Sequence, residues 1–229
     1  MIKYLQLPFH FDVQKMQEEL QQIDSSAWKL HYQKLHYEGD WSAIPLRSVR
    51  GDAANIFVSM ETNPDYQDTV FLDKSVYFRE VLSSFKCPLT GVRLLKLNAG
   101  AVIKEHKDAE MCFEIGEIRM HIPVVTNDEV EFYLDKERMN VKEGECWYMN
   151  FNLPHSVSNK SKTHRIHLVV DAKVNDWVKE LFSQPSIQKK EMVEPGYDTD
   201  TKLQIIARLR QLNTETANRL ANEMESGIH

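Results

Sequence analysis

The chain has 229 residues, 42% of them hydrophobic and 27% charged, with a formal net charge of −6. That mix fits a soluble folded protein with one sizeable core and argues against a disordered chain, and the lack of a basic block argues against nucleic acid as a partner. No run approaches the roughly 18 apolar residues that a membrane-spanning helix needs. The N-terminus MIKYLQLPFHFDVQKM shows no secretory pattern, and Cys87, Cys112 and Cys146 are far apart and odd in number, so reduced thiols and a cytoplasmic location are expected.

In chain order, Asp12 is placed to cap a helix over 13–23, with Val13, Met16, Leu20 and Ile23 on one face. Strand-like stretches follow at Trp28–Leu35 and Trp41–Val49, with Glu38-Gly39-Asp40 as the turn between them. Asp73 is placed to cap a helix over 74–85 that buries Val81, Leu82 and Phe85. From 89 to 171 short apolar runs alternate with turn signals. The strands read as Val92–Leu97, Glu117–Val125, Glu131–Leu134, Cys146–Asn150 and Arg165–Asp171, the spacing of an antiparallel sandwich or barrel. Val174–Phe182 reads as a short helix and Pro185–Tyr197 as a polar linker. Asp200–Glu225 reads as an amphipathic helix whose apolar stripe covers the protein's own core or a second subunit, in a homodimer.

His-x-Asp occurs twice, near what chance allows in a chain with nine histidines. In His10-Phe11-Asp12 the aspartate already has a capping role. His106-Lys107-Asp108 is better placed, because in an extended chain residues i and i+2 share a face and both side chains can reach one metal. A third ligand is needed, and His155 in NLPHSVSN follows an apolar strand among small polar residues. Two imidazoles and one carboxylate leave positions open on a metal, the set that suits non-haem Fe(II). The plainer reading of all three is ordinary surface polarity.

In HRIHLVVD, Ile166, Leu168 and Val170 form one face, and Arg165, His167, Val169 and Asp171 the other. A buried guanidinium needs a partner, either a protein carboxylate or the carboxylate of a ligand. Arg119 and His121 likewise share a face opposite Met120, Ile122 and Val124. Two strands thus deliver an arginine and a histidine each to one side, which reads as a pocket for an anionic ligand beside a metal. Arg47 and Arg93 lie in strand-like stretches, and either is a candidate for a substrate carboxylate or a structural arginine. Trp41, Trp147 and Tyr148 are candidates for an apolar wall or for core, and Cys112 for a loop over the pocket mouth without a catalytic role.

The segments RLLKLNAGAVIKEHKD, IRMHIPVVTN, GECWYMNFNLPHSVSN and HRIHLVVD, in this order and spacing, resemble the aspartyl/asparaginyl β-hydroxylase family of Fe(II)- and 2-oxoglutarate-dependent oxygenases. The upstream HYEGDWSAIPLRS is similar to its bacterial, proline cis-4-hydroxylase-like branch. The resemblance implies a mainly β fold, a double-stranded β-helix (cupin-like jelly roll) with flanking helices. It implies that His106, Asp108 and His155 bind Fe(II), that Arg165 binds the distal carboxylate of 2-oxoglutarate, and that Arg119 and His121, as the RxHxP motif, line the cosubstrate pocket. The animal enzymes of the family lack the carboxylate ligand, whereas this chain has Asp108. The expected activity is O2-dependent hydroxylation of an unactivated C–H bond in a free amino acid or small derivative, proline first, with release of succinate and CO2 and no catalytic residue beyond the metal ligands. Hydroxylation of an Asp, Asn or other residue in a peptide or protein stays open, as do a non-oxidative cupin-type metal enzyme and a small-ligand sensor. The expected organisation is a jelly-roll domain over 1–182 and a linker with a C-terminal helix over 183–229.

Overall fold

The computed structural model describes residues 1–57, 59, 61, 63–192 and 199–226. Its elements, in chain order, are β1 (Ile2–His10), α1 (Val13–Gln22), β2 (Lys29–Leu30), β3 (Tyr37–Glu38), β4 (Trp41–Val49), β5 (Tyr66–Asp68), α2 (Val70–Asp73) and α3 (Val76–Ser83). The central strands follow: β6 (Leu89–Leu97), β7 (Val102–His106), β8 (Glu117–Val125), β9 (Val130–Leu134), β10 (Glu137–Met139), β11 (Glu145–Met149), β12 (His155–Asn159) and β13 (Arg165–Lys173). The chain ends with α4 (Asp176–Ser183), β14 (Lys189–Glu191), α5 (Thr199–Leu212) and α6 (Glu215–Ser226). These residues fall into two units, Ile2–Glu191 with every strand, and Met1 with Met192–His229.

The strands form two antiparallel sheets. The larger runs β14-β1-β11-β8-β13-β6-β4-β2, with β5 also on β4, and the smaller runs β10-β9-β12-β7-β3. One apolar cluster, with Trp41, Leu95, Leu97, Trp147 and Val169 from the larger sheet and Ile103, Phe132, Leu134 and Val157 from the smaller, fills the space they share. The larger sheet's other face, with Ile44, Leu94, Met120, Ile122, Leu168 and Val170, joins Met16, Phe78, Val81, Val178 and Phe182 from the helices. This is a double-stranded β-helix with flanking helices. Being covered on both faces, β13 is buried at every position from Arg165 to Ala172, so its polar members Arg165, His167 and Asp171 are forced inside. Gly39 turns the chain from β3 into β4 at φ +80, and a Cβ there would stand 2.8 Å from that of Ala101.

Several local expectations hold. Asp12 caps α1, its side chain accepting from Lys15 N, and Trp41–Val49 is one strand. Others do not. Of Trp28–Leu35 only β2 pairs, because Leu30 and Leu35 face solvent (57% and 88% exposed) and no buried face fixes a register. Asp73 ends α2, which Thr69 caps. The α3 amides of Tyr77 and Phe78 are capped from afar, by the Glu19 carboxylate on α1. Within the expected linker, Lys189–Glu191 is a strand on β1, while residues 193–197 of it lie outside the described residues. The single C-terminal helix is two. Asn213 takes a left-handed φ of 47°, a conformation asparagine tolerates, and Thr214 Oγ1 accepts from Ala217 N to start α6. Among the described residues no helix is long and apolar enough to cross a membrane.

The two-sided burial of β13 makes a direct prediction. Leu168, at 0% exposure, loses about 2–5 kcal/mol of stability on Leu168→Ala, whereas a surface change such as Leu35→Ala stays within about 0.5 kcal/mol. Urea unfolding of both variants checks it.

Candidate functional site

Strands β7 and β12 run antiparallel in a register that sets His106 opposite His155, with ring centroids 4.2 Å apart. Asp108 lies just past β7, where its backbone N–H donates to Phe151 O at 2.9 Å. One donor atom from each of His106, Asp108 and His155 lies within 4.8 Å of the others. His106 Nδ1 meets Lys104 O at 2.7 Å, and His155 Nδ1 meets Leu153 O at 3.0 Å. A carbonyl only accepts, so both rings carry a proton on Nδ1, which leaves Nε2 as the nitrogen for a metal, the way metal-binding imidazoles are oriented. Burial, then the neighbouring His106, pulls His155 down to about 4, which keeps it neutral. Burial acts to raise Asp108, but the Arg119 guanidinium, with the nearby histidines, holds its carboxyl below the usual range. Two imidazoles and a carboxylate at the edge of a cavity fit Fe(II) or a similar divalent metal.

A cavity of about 270 Å³ opens onto these ligands. Arg93, Arg119, His121 and Arg165 line it with Trp41, Phe132 and Phe151, and His31, Tyr32 and Gln33 also border it. Arg119 donates from Nε and Nη2 to Asp171 at 2.6 and 2.9 Å, and from Nη1 to Asp108. Burial lowers Arg119, but Asp171 and Asp108 outweigh it, so its pKa is raised and the charge is secure. Arg93 also pairs with Asp171.

Arg165 differs. It is 2% exposed, and no carboxylate pairs with it among the described residues. Its side-chain partner is His167, whose Nδ1 accepts from Arg165 Nη2 at 2.7 Å. His167 therefore carries its proton on Nε2, and His121 Nδ1, 3.2 Å from the same nitrogen, is the donor there. Burial and then Arg165 hold both histidines neutral, well below 6.5. Burial alone pulls Arg165 down to about 9. Arg165 Nε, His121 Nε2 and His167 Nε2 are buried without partners among the described residues. A wider recess of about 830 Å³, bordered by Asn127, Arg138 and Lys142, reaches Arg165 and His167 away from the ligand triad.

The structure thus brings His106, Asp108, His155, Arg119, His121, Arg165 and Arg93 to one cavity. Arg47 is not there. It pairs with Asp68 and donates to Tyr66 O and Leu89 O, so its guanidinium is taken up by structural partners. Arg119 and His121, expected to line the cosubstrate pocket, both border the cavity, and the Arg119 guanidinium is held by Asp108 and Asp171. Of the aromatic candidates Trp41 walls the cavity, while Trp147 Nε1 bonds Glu145 and Tyr148 sits in the helix-covered core. Cys112 follows Met111 on the loop after β7 that borders the cavity, but its side chain is buried, and its Sγ accepts from Asn152 Nδ2 at 3.2 Å. Two residues were not singled out from sequence. His31 stacks on Trp41 at 3.6 Å, and no pattern announced it. Asp171 pairs both arginines, and its signal was the alternation of β13, which put it on the face of Arg165.

A jelly roll with a His-Asp-His set at its mouth and buried arginines behind it is the class of protein that fold and site define. The model of the aspartyl/asparaginyl beta-hydroxylase family matches residues 10–174, and the chain belongs to that family of hydroxylases. It is 26% identical over 193 residues to the L-proline cis-4-hydroxylase of Rhizobium meliloti (strain 1021), an alignment covering 81% of this chain and 66% of that protein. Among solved structures it resembles a Pseudomonas putida prolyl-4-hydroxylase at 8% identity and a TM-score of 0.48, over 76% of this chain and 94% of that one. It also resembles an oxidoreductase of the 2OG-Fe(II) oxygenase family from Burkholderia pseudomallei at 12% identity and a TM-score of 0.47, over 71% and 79%.

The buried neutral histidines give the metal-free protein a pH signature. Burial, then Arg93, pulls His31 down to about 3, and His155 sits at about 4. The unfolded chain takes up these protons near pH 6.5 and the folded chain only near pH 3–4. The stabilisation is complete above about pH 6.5 and is lost as the pH falls toward 4. The urea midpoint should fall between pH 7 and 4.5, and less steeply in His31→Phe.

Proposed function

We propose that this protein is an Fe(II)- and 2-oxoglutarate-dependent dioxygenase that hydroxylates an unactivated C–H bond of a free amino acid or small derivative, with proline the first candidate. One observation carries the reading: Arg165, a buried cation without a carboxylate partner among the described residues, lines the same cavity as His106, Asp108 and His155. A buried guanidinium costs several kcal/mol unless an anion matches it. A dicarboxylic cosubstrate, with one end at the metal and the other on Arg165, supplies that anion.

His106 and His155, each through Nε2, and Asp108 through its carboxylate would hold the metal, so three ligands would come from the protein. When bound, the iron with 2-oxoglutarate and O2 supplies the oxidation, and the cosubstrate leaves as succinate and CO2. The residues hold and orient. Arg165 takes the distal carboxylate, steadied by His167. Phe132, Phe151, Leu95 and Val157 keep water from the reacting bond. Arg93 and Trp41 line the cavity, and their Nε and Nε1, buried without partners among the described residues, would take a polar substrate group such as an amino-acid carboxylate. No general base is required, because the reaction is positioned rather than proton-driven.

Anaerobic addition of Fe(II) and 2-oxoglutarate tests this. Wild type should show the weak visible band of an iron–2-oxo acid chelate, and Arg165→Ala and Asp108→Ala should weaken it. Succinate release on adding L-proline then tests the substrate class. Wild type without a band at saturating ligand would contradict the reading.

A further inference from the structure

Asp171, on β13, sits between two guanidinium groups. Its Oδ1 accepts from Arg119 Nε at 2.6 Å, and its Oδ2 from Arg119 Nη2 at 2.9 Å and from Arg93 Nη2. Arg119 Nη1 continues to Asp108 Oδ2. A candidate metal ligand is thereby tied, through Arg119 and Asp171, to an arginine on the cavity wall. Side-chain exposures of 7% for Arg93, 3% for Asp171 and 10% for Arg119 keep the chain out of water, where charge pairs are strong and a change at one is felt by the next. Among the described residues Arg93 has only a long second contact, Nη1 to Ile56 O at 3.5 Å, and its Nε has no partner. Asp171 is what chiefly holds it at the cavity wall.

We infer that Asp171 is a positioning residue that couples anion binding at Arg93 to the freedom of Asp108 at the metal centre. The inference rests on the metal-ligand reading of His106, Asp108 and His155. Asp171 is shared between Arg93 and Arg119, and Arg119 between Asp171 and Asp108. A carboxylate that draws Arg93 into the cavity leaves Asp171 to Arg119 alone. Arg119 then leans toward Asp171, loosens its hold on Asp108, and gives that carboxylate to the metal. The centre is completed when the substrate-side anion is present, which guards against oxidation with no substrate in place.

Cobalt(II) binding, read by visible absorption on the whole protein, tests the relay without turnover. Arg93→Met mimics the displaced arginine and should tighten cobalt at least about threefold, while Asp171→Asn, which turns Arg119 fully onto Asp108, should weaken it about tenfold. In the Asp171→Asn background, Arg93→Met should change the affinity less than about twofold. Equal tightening in both backgrounds would mean that Arg93 acts through space and would overturn the role of Asp171. Unchanged or weaker binding in Arg93→Met would overturn the coupling altogether. If Asp171→Asn does not fold, Arg93→Lys decides, because it keeps the charge and shortens the reach: the relay predicts an affinity between wild type and Arg93→Met, and a through-space field predicts wild-type affinity. Cobalt binding that is absent in wild type, or undiminished in His155→Ala, would instead sink the metal-centre reading and the relay with it.

Discussion

A guanidinium 2% exposed, with no carboxylate beside it among the described residues, is a costly thing to fold around, and Arg165 is that group. Its neighbours show how the same barrel treats its other cations. Arg93 and Arg119 share Asp171, and Arg119 also reaches Asp108, so two positive charges meet two negative ones. Arg165 has instead a neutral imidazole, His167, that accepts one bond and fixes its direction. Among the described residues Arg165 is thus a cation without a matching carboxylate, and it lines the cavity of the candidate metal ligands. Buried charges without partners are kept where a ligand completes them.

The fold produces this arrangement through β13. The strand is flanked by β6 and β8 and covered on both faces. Its alternation sends Ile166, Leu168 and Val170 to the helix side and Arg165, His167, Val169 and Asp171 to the barrel interior. Three polar side chains on one strand therefore face the barrel interior, and they find their partners on that strand and on its neighbours β6 and β8. Asp171 finds Arg119 and Arg93, and His167 finds His121 and Arg165. The metal ligands come from the smaller sheet, where β7 and β12 pair His106 with His155. Phe151 packs among them, its ring 4.6 Å from that of His155 and 4.9 Å from that of His121. The candidate metal centre and anion pocket are contributed by different sheets and meet in the cavity between them.

What was legible in the chain was whatever a strand's period of two dictates. The faces of β8 and β13, and with them the inward Arg119, His121, Arg165 and Asp171, follow from alternation alone. His106 and Asp108 follow from their spacing, and His155 from its flanks. Pairings between strands were not legible, because alternation says which way a side chain points and not what it meets. That is why Arg47 reads as equal to Arg93 in the sequence although Asp68, Tyr66 and Leu89 hold it, and why the bond from Arg119 to Asp108 has no sequence signal. Caps from distant helices, such as Glu19 on the first turn of α3, leave no local trace. Nor does a two-residue strand such as β2, whose short pairing is set by its neighbour β4.

The account's central claim is that Arg165 is retained for a ligand and not for the fold. Thermal unfolding of wild type and Arg165→Met, each with manganese(II) and with or without 2-oxoglutarate, tests it most directly. Removing a buried unmatched charge should raise the unfolding temperature of the ligand-free variant above that of wild type, and 2-oxoglutarate should stabilise wild type alone. A variant that is less stable than wild type and is still stabilised by 2-oxoglutarate would contradict the claim and make Arg165 a structural residue.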